Sequence, residues 1–220
     1  RHIPRLRNRP ALRRELGLCP SDKLVLVTTG GGGDGYKVID TYLTMLETQP
    51  GCDFKSMIVT GPMLCEKLYD QLASRARKLK IRIFKFHRKM EKIILAADCV
   101  VSMGGYNTMC EIVSAARPML IIPRSTPREE QLMRARIFAA RGLLEYIPWE
   151  TVTVPEMRDK LGYILEHGMD YEQRLSVFPM TAFDVINSRI GKIGLRSVKP
   201  SCHGHDALWM PDYYGHVRNQ

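Results

Sequence analysis

The sequence predicts an α/β fold, an open parallel sheet of about six strands with helices on both faces. Three observations predict it. Short, largely apolar runs such as 24–28, 99–102 and 119–122 alternate with longer segments whose apolar residues recur at helical spacing, the pattern of strands covered on both faces by helices. Glycines cluster where the first and fourth of these runs end, as they do where a parallel strand turns into a helix. The chain has 220 residues, 45% hydrophobic and 25% charged, which allows a core of ordinary size and argues against disorder of the whole.

In chain order, residues 1–22 are rich in Arg and Pro and read as a lead-in. The first residue is Arg1 and no apolar targeting stretch follows it, so an internal start within a longer protein is expected. Leu24-Val-Leu-Val-Thr28, bounded by Lys23 and by glycines, reads as a buried strand. Val38, Tyr42, Leu43 and Leu46 set a helix over 36–47. A strand over 54–60, a helix over 63–79, a strand over 81–86, a short helix over 90–97 and a strand over 99–102 follow. The helix over 106–116 is stopped by Pro118, the strand over 119–122 is closed by Pro123, and the helix over 129–140 ends at Gly142. Residues 143–147 supply the sixth strand, and helices over 155–166 and 170–178 close a domain placed at 23–187. This alternation is Rossmann-like, with right-handed crossovers. From about Ser188 apolar periodicity gives way to Gly, Pro, His and basic residues, so 188–220 is expected to be a tail.

The net charge is +10, and nine basic residues fall between Arg75 and Lys92 against one acid, Glu91. An anionic membrane surface, a phosphorylated substrate and nucleic acid all suit such a run, as does a solvated helix face. Nucleic acid ranks last, because the aromatics in the run, Phe84 and Phe86, lie inside a predicted strand. Cysteines 19, 52, 65, 99, 110 and 202 form no C-x-x-C pair, which fits a reducing cytoplasm better than a disulfide framework. No apolar stretch is long enough to cross a bilayer. Cys202, His203 and His205 lack a second ligand pair at zinc-finger spacing, so no metal site is expected there. His167, beside Gly168, suits a helix end without any function. Met103, Met109 and Met119 read as core.

Thr29-Gly-Gly-Gly-Gly-Asp-Gly-Tyr36 joins the first strand to a helix. Bare backbone N–H groups and the helix dipole make such a junction an anion site, and Gly30, Gly31, Gly32, Gly33 and Gly35 let a phosphate approach the main chain. A loop that merely turns tightly is the bland reading. Gly30, Gly32 and Gly35 also satisfy the dinucleotide fingerprint G-x-G-x-x-G. That fingerprint wants an acid at the end of the second strand, where this chain has Val59-Thr60-Gly61-Pro62. No P-loop sequence is present.

The fourth strand runs through Ser102-Met-Gly-Gly-Tyr-Asn-Thr-Met-Cys-Glu-Ile112 into another helix. Gly104, Gly105, Tyr106, Asn107 and Thr108 form a second candidate anion turn. Glu111 shares a helix face with Asn107, four residues earlier. A carboxylate cannot help bind phosphate, but it can accept hydrogen bonds from two vicinal hydroxyls such as a ribose offers.

The segment Ala97-Asp98-x-Val-Val-Ser-x-Gly-Gly-x-x-Thr-x-x-Glu111, then Ala115-x-x-Pro118-x-Leu-x-x-Pro123 and Glu130-Gln131, resembles the C-terminal domain of glycosyltransferase family 28. The resemblance covers about residues 24–144 and implies one half of a GT-B fold that binds a UDP-sugar. It implies phosphate contact at Gly30–Gly35, diphosphate held at Gly104–Thr108, and a uracil lined by Phe86, His87 and Met90. Glu111 falls on the ribose-binding glutamate, while Glu130 and Gln131 fall where the family has paired glutamines near the sugar. Two departures from the family pattern stand out: Glu130 is a carboxylate where the family has an amide near the sugar, and Pro127 and Arg128, with Arg124 in place of an aromatic, alter the loop before it.

The resemblance also implies hexosyl transfer from a nucleotide sugar to an acceptor hydroxyl. The general base and acceptor site come from an N-terminal domain of the parent chain. No cofactor or metal is implied, and no D-x-D pair occurs. The rival readings are a non-catalytic donor-binding subunit and a nucleotide-sugar epimerase or hydrolase of the same fold. Arg124, Arg128 and Arg134 could reach the diphosphate or an acidic acceptor, and solvated arginines explain them equally well. The expected location is cytoplasmic, with an anionic membrane surface compatible.

Overall fold

The computed structural model describes residues 9–48, 51–127 and 129–179. The expected tail, with Cys202, His203 and His205, lies outside them, as does Arg128. Six parallel strands form one sheet: β1 (Leu24–Thr28), β2 (Lys55–Val59), β3 (Arg82–Phe84), β4 (Cys99–Ser102), β5 (Met119–Ile121) and β6 (Glu145–Tyr146). Their order is β3-β2-β1-β4-β5-β6, so the direction of winding reverses between the neighbours β1 and β4. The expected fold class is the observed one.

Burial follows position in the sheet. The central strands β1, β4 and β5 are buried at every residue, whereas the edge strand β3 opens on the exposed Arg82. This is why the central strands read as continuous apolar runs. The strands pair in register from Val25 opposite Cys99 to Thr28 opposite Ser102, and from Leu24 opposite Lys55 to Thr28 opposite Val59. That register brings the carboxyl ends of β1 and β4 level.

The helices are α1 (Arg9–Glu15), α2 (Tyr36–Thr48), α3 (Glu66–Lys78), α4 (Met90–Ala96), α5 (Tyr106–Ser114), α6 (Glu130–Ala139), α7 (Val154–Glu166) and α8 (Gly168–Ser176). α2 meets α3 and α7, while α1 meets α4, α4 meets α5 and α5 meets α8, with α7 and α8 in contact where one follows the other; helices cover both faces of a doubly wound sheet in this way. α7 is started by Thr153, whose hydroxyl accepts from the Glu156 N–H, with Pro155 in its first turn.

α1 lies inside the stretch read as a lead-in. It has no apolar stripe to announce it, and buried among its residues are only Leu12 and Arg13. Charge holds it instead. Arg9 Nη2 reaches Asp98 Oδ1 at 2.5 Å and Arg13 Nη1 reaches Asp98 Oδ2 at 2.8 Å, while Arg13 also donates to the Ala96 carbonyl at 2.9 Å. The same Asp98 carboxylate accepts from the Leu24 N–H at 2.7 Å, tying α1 to the start of β1.

The basic run over 75–92 is partly spent internally. Arg75 clamps α3 to α2 through Asp40 at 2.5 Å and Glu47 at 2.7 Å, and this guanidinium holds the Glu47 carboxyl below its usual range. Lys85 pairs with Glu66, and Arg82 donates to the Leu16 carbonyl at 2.8 Å. Among the described cysteines all five are free thiols. Among the described residues no helix is long and apolar enough to cross a membrane.

Candidate functional site

Both glycine turns leave the sheet at the reversal point, one from β1 and one from β4. Between them is a cavity of about 370 Å³, lined by residues 29–34 of the first turn, residues 102, 103 and 105–108 of the second, and Met63, Arg124 and Gln131. Such a crevice at the carboxyl ends of the strands is where open α/β sheets take ligands. Gly30 faces Thr108 directly: a Cβ built on Gly30 would lie 3.5 Å from the Thr108 hydroxyl.

The first turn is locked by its neighbours. Gly32 has φ +90°, and a Cβ there would come within 2.2 Å of the Thr60 carbonyl oxygen. The Thr29 hydroxyl donates to that same oxygen at 2.7 Å, and the Met63 N–H donates to the Gly31 carbonyl at 2.9 Å. The end of β2 therefore supports the turn from behind. A dinucleotide fold would need a ribose-binding carboxylate at that end, and Thr60 and Gly61 occupy it.

The second turn places Gly105 at the start of α5, with no side chain capping the helix. The first-turn N–H groups of an α-helix have no partner within it, and with the helix dipole they favour an anion at the cavity wall. Arg134 braces this turn, donating to the Gly104 carbonyl at 2.7 Å and stacking over the Tyr106 ring at 5.6 Å. The Tyr106 phenol is held above its ordinary value, first by its hydrogen bond with the Cys110 thiol.

Of the residues named from the sequence, Gly30, Gly31, Gly32, Gly33, Gly105, Tyr106, Asn107, Thr108 and Gln131 line the cavity. The Gln131 Oε1 is buried without a hydrogen-bond partner. Gly35 and Gly104 do not line it, and neither has room for a side chain: a Cβ on Gly35 would meet the Thr29 side chain at 2.2 Å, and one on Gly104 would meet Ile121 at 2.7 Å. Phe86, His87, Met90, Glu111 and Glu130 also lie outside the lining. Phe86 is exposed, His87 sits edge-on to Phe84 at 5.8 Å, and Met90 packs against the core at the start of α4. Glu111 is exposed on α5 and Glu130 is exposed at the start of α6.

Sequence reasoning missed Thr29, Asp34, Met63 and Ser102 as lining residues, and took Met103 for core alone. Asp34, a lone acid among glycines, was the one legible signal among them. His167 stacks on Tyr163 at 4.2 Å where α7 meets α8.

A model of the glycosyltransferase family 28 C-terminal domain matches residues 24–186. The chain is 24% identical over 164 residues to the UDP-N-acetylglucosamine--N-acetylmuramyl-(pentapeptide) pyrophosphoryl-undecaprenol N-acetylglucosamine transferase of Alkaliphilus metalliredigens, covering 74% of this chain and 45% of that one. Among solved structures it resembles MurG of Acinetobacter baumannii, with TM-score 0.67 and 14% identity over 79% of this chain and 53% of that one. It also resembles the UDP-GlcNAc 2-epimerase of Neisseria meningitidis, with TM-score 0.55 and 14% identity over 83% and 48%. These structural likenesses show a shared fold. The chain spans under half the length of such curated relatives.

Proposed function

We propose, from the premise that this chain belongs to the family of glycosyltransferase family 28 C-terminal domains, that it binds the nucleotide-sugar donor of a hexosyltransferase, with UDP as the nucleotide. The observation that carries the reading is the meeting of two main-chain anion turns across one cavity at the reversal point of the sheet. A nucleotide sugar presents a diphosphate to such turns. When an acceptor hydroxyl displaces it at the anomeric carbon, negative charge gathers on the leaving diphosphate. Fixed N–H groups and the α5 dipole then stabilise the transition state more than the ground state.

Deprotonating the acceptor needs a general base, which this reading assigns to an N-terminal acceptor domain of the parent protein. Glu111 is the proposed ribose acceptor, and Gln131, with its unpartnered buried oxygen, the proposed sugar contact. A cytoplasmic position belongs to the same proposal, and an anionic membrane surface as neighbour is supported by the exposed cations Arg77, Lys78, Lys80, Arg88 and Lys89.

Ligand-observed NMR of this chain against nucleotides and nucleotide sugars tests the reading, alongside an assay for sugar transfer. The expected result is binding of UDP and UDP-sugars without transfer. Binding of no uridine nucleotide overturns the donor assignment, and transfer by this chain alone overturns the placement of the base.

A further inference from the structure

The cavity carries its own anion. Among the described residues that line it, Asp34 is the one carboxylate and Arg124 the one cation, and they are ion-paired with each other. Asp34 leaves the β1 turn between Gly33 and Gly35, whereas Arg124 follows β5 after Pro123, so the pair spans the cavity from one strand exit to another with the β4 turn between them.

The two partners are held differently. The chain around Arg124 is pinned on both sides. The Ile122 N–H donates to the Ser102 carbonyl at 2.7 Å and the Trp149 N–H to the Pro123 carbonyl at 2.9 Å. Glu150 accepts from the Ser125 N–H at 3.0 Å and from its hydroxyl at 2.6 Å, and those bonds hold the Glu150 carboxyl below its usual range. Lys37 donates to the Trp149 carbonyl at 2.8 Å and secures the same strap. The Asp34 side chain is 54% exposed, against 32% for Arg124. The guanidinium thus has a fixed root beside the anion turns, while the carboxylate has water to return to.

We infer that Asp34 is an internal stand-in for the ligand's phosphate: it holds Arg124 across the mouth of the cavity until a bound diphosphate displaces it and takes the guanidinium. The inference rests on the donor-binding reading for the identity of the ligand, and on geometry alone for the exchange. A guanidinium fork matches phosphate oxygens as well as it matches a carboxylate. A diphosphate also adds the N–H groups of both turns, which the Asp34 carboxylate does not engage. The exchange makes phosphate charge a condition of entry, since a ligand without it leaves the ion pair closed. It also lowers apparent affinity by the fraction of molecules in which Arg124 is occupied. Because the pair is partly exposed, that reduction is modest and shrinks as salt rises.

Calorimetric titration of the chain and of Asp34→Asn, Arg124→Gln and the double variant with inorganic diphosphate, then with UDP, tests the exchange. Asp34→Asn is expected to bind diphosphate about three- to tenfold more tightly than the parent, and Arg124→Gln about tenfold more weakly. Most of the gain from Asp34→Asn should vanish in the Arg124→Gln background, since the carboxylate acts through that guanidinium. Thermal unfolding without ligand checks that each variant folds. Unchanged or weaker diphosphate binding by Asp34→Asn, a gain of equal size in the Arg124→Gln background, or no diphosphate binding by any variant overturns the inference. If the diphosphate pattern holds but UDP binds no better than diphosphate, the exchange stands and the uridine reading falls.

Discussion

Glu111 occupies α5 one turn beyond Asn107, exposed and outside the lining of the cavity. In the proposed complex the diphosphate lies at the start of this helix, where a nearby carboxylate is repulsive unless something compensates. Two ribose hydroxyls donating to Glu111 would compensate, each charge-assisted bond contributing about 1.5–3 kcal/mol. Glu111→Gln is therefore expected to weaken UDP binding by about one to two orders of magnitude. Inorganic diphosphate, which makes no ribose contact, should bind as before or more tightly. Calorimetry with both ligands decides it: equal losses for the two, or no loss for UDP, removes the ribose assignment. Arg117 shows the other use of charge at this scale. Its fully buried side chain pairs with Glu172 at 2.7 Å and has one unpartnered nitrogen, Nη2, and burial lowers its pKa below the ordinary value. It lies where α5 gives way to β5, near the α8 contact, and serves the packing of α8.

The β1–α2 turn is the element on which the anion site depends, and its glycines are not equivalent. Gly32 combines a φ of +90° with a backbone oxygen 2.2 Å from where a Cβ would sit, whereas a Cβ on Gly33 would meet nothing within 4 Å. Gly32→Ala is expected to destabilise the domain by about 2–4 kcal/mol and to abolish diphosphate binding. Gly33→Ala should change stability by less than about 0.5 kcal/mol. Denaturant unfolding of both variants measures this, and equal stability of the two would mean that the turn is not held against β2 as described. The neighbouring α1 depends on charge in the same way that the turn depends on backbone space. Its arginines anchor it because Asp98, more than 80 residues later, and the carbonyls of Ala96 and Ala97 beside it lie within their reach.

For the molecule as a whole, the charge of +10 has a direct physical consequence. Arg75, Arg82 and Lys85 are engaged internally, but Arg77, Lys78, Lys80, Arg88 and Lys89 are exposed. A cationic surface of this kind is attracted to anionic lipid by about 1 kcal/mol per basic residue near the membrane, and the attraction is screened by salt. The chain is expected to co-sediment with vesicles containing phosphatidylserine, to be released as ionic strength rises, and to ignore pure phosphatidylcholine. Arg88→Gln with Lys89→Gln should reduce the binding several-fold. Equal retention on neutral vesicles, or indifference to salt, rules out the anionic surface as a partner.

The sequence by itself determined the α/β class, the six strands to within a few residues and both glycine turns. These depend on short-range physics: side-chain periodicity reports local burial, and a turn with a positive φ favours glycine wherever the rest of the chain goes. Tertiary structure decided the order β3-β2-β1-β4-β5-β6, and with it that the first and fourth strands are the neighbours whose turns share a cavity. Hydrogen-bonding between parallel strands leaves no mark in either strand alone. It also decided which glycines line the cavity and which, like Gly35 and Gly104, sit against neighbouring side chains that leave no room for a Cβ. α1 was illegible because its anchors are ion pairs to a distant carboxylate instead of an apolar stripe. The same holds for Asp34 and Arg124, 90 residues apart. Their composition announces a charge, but only the reversal of the sheet between β1 and β4 brings the two exits close enough for one charge to answer the other.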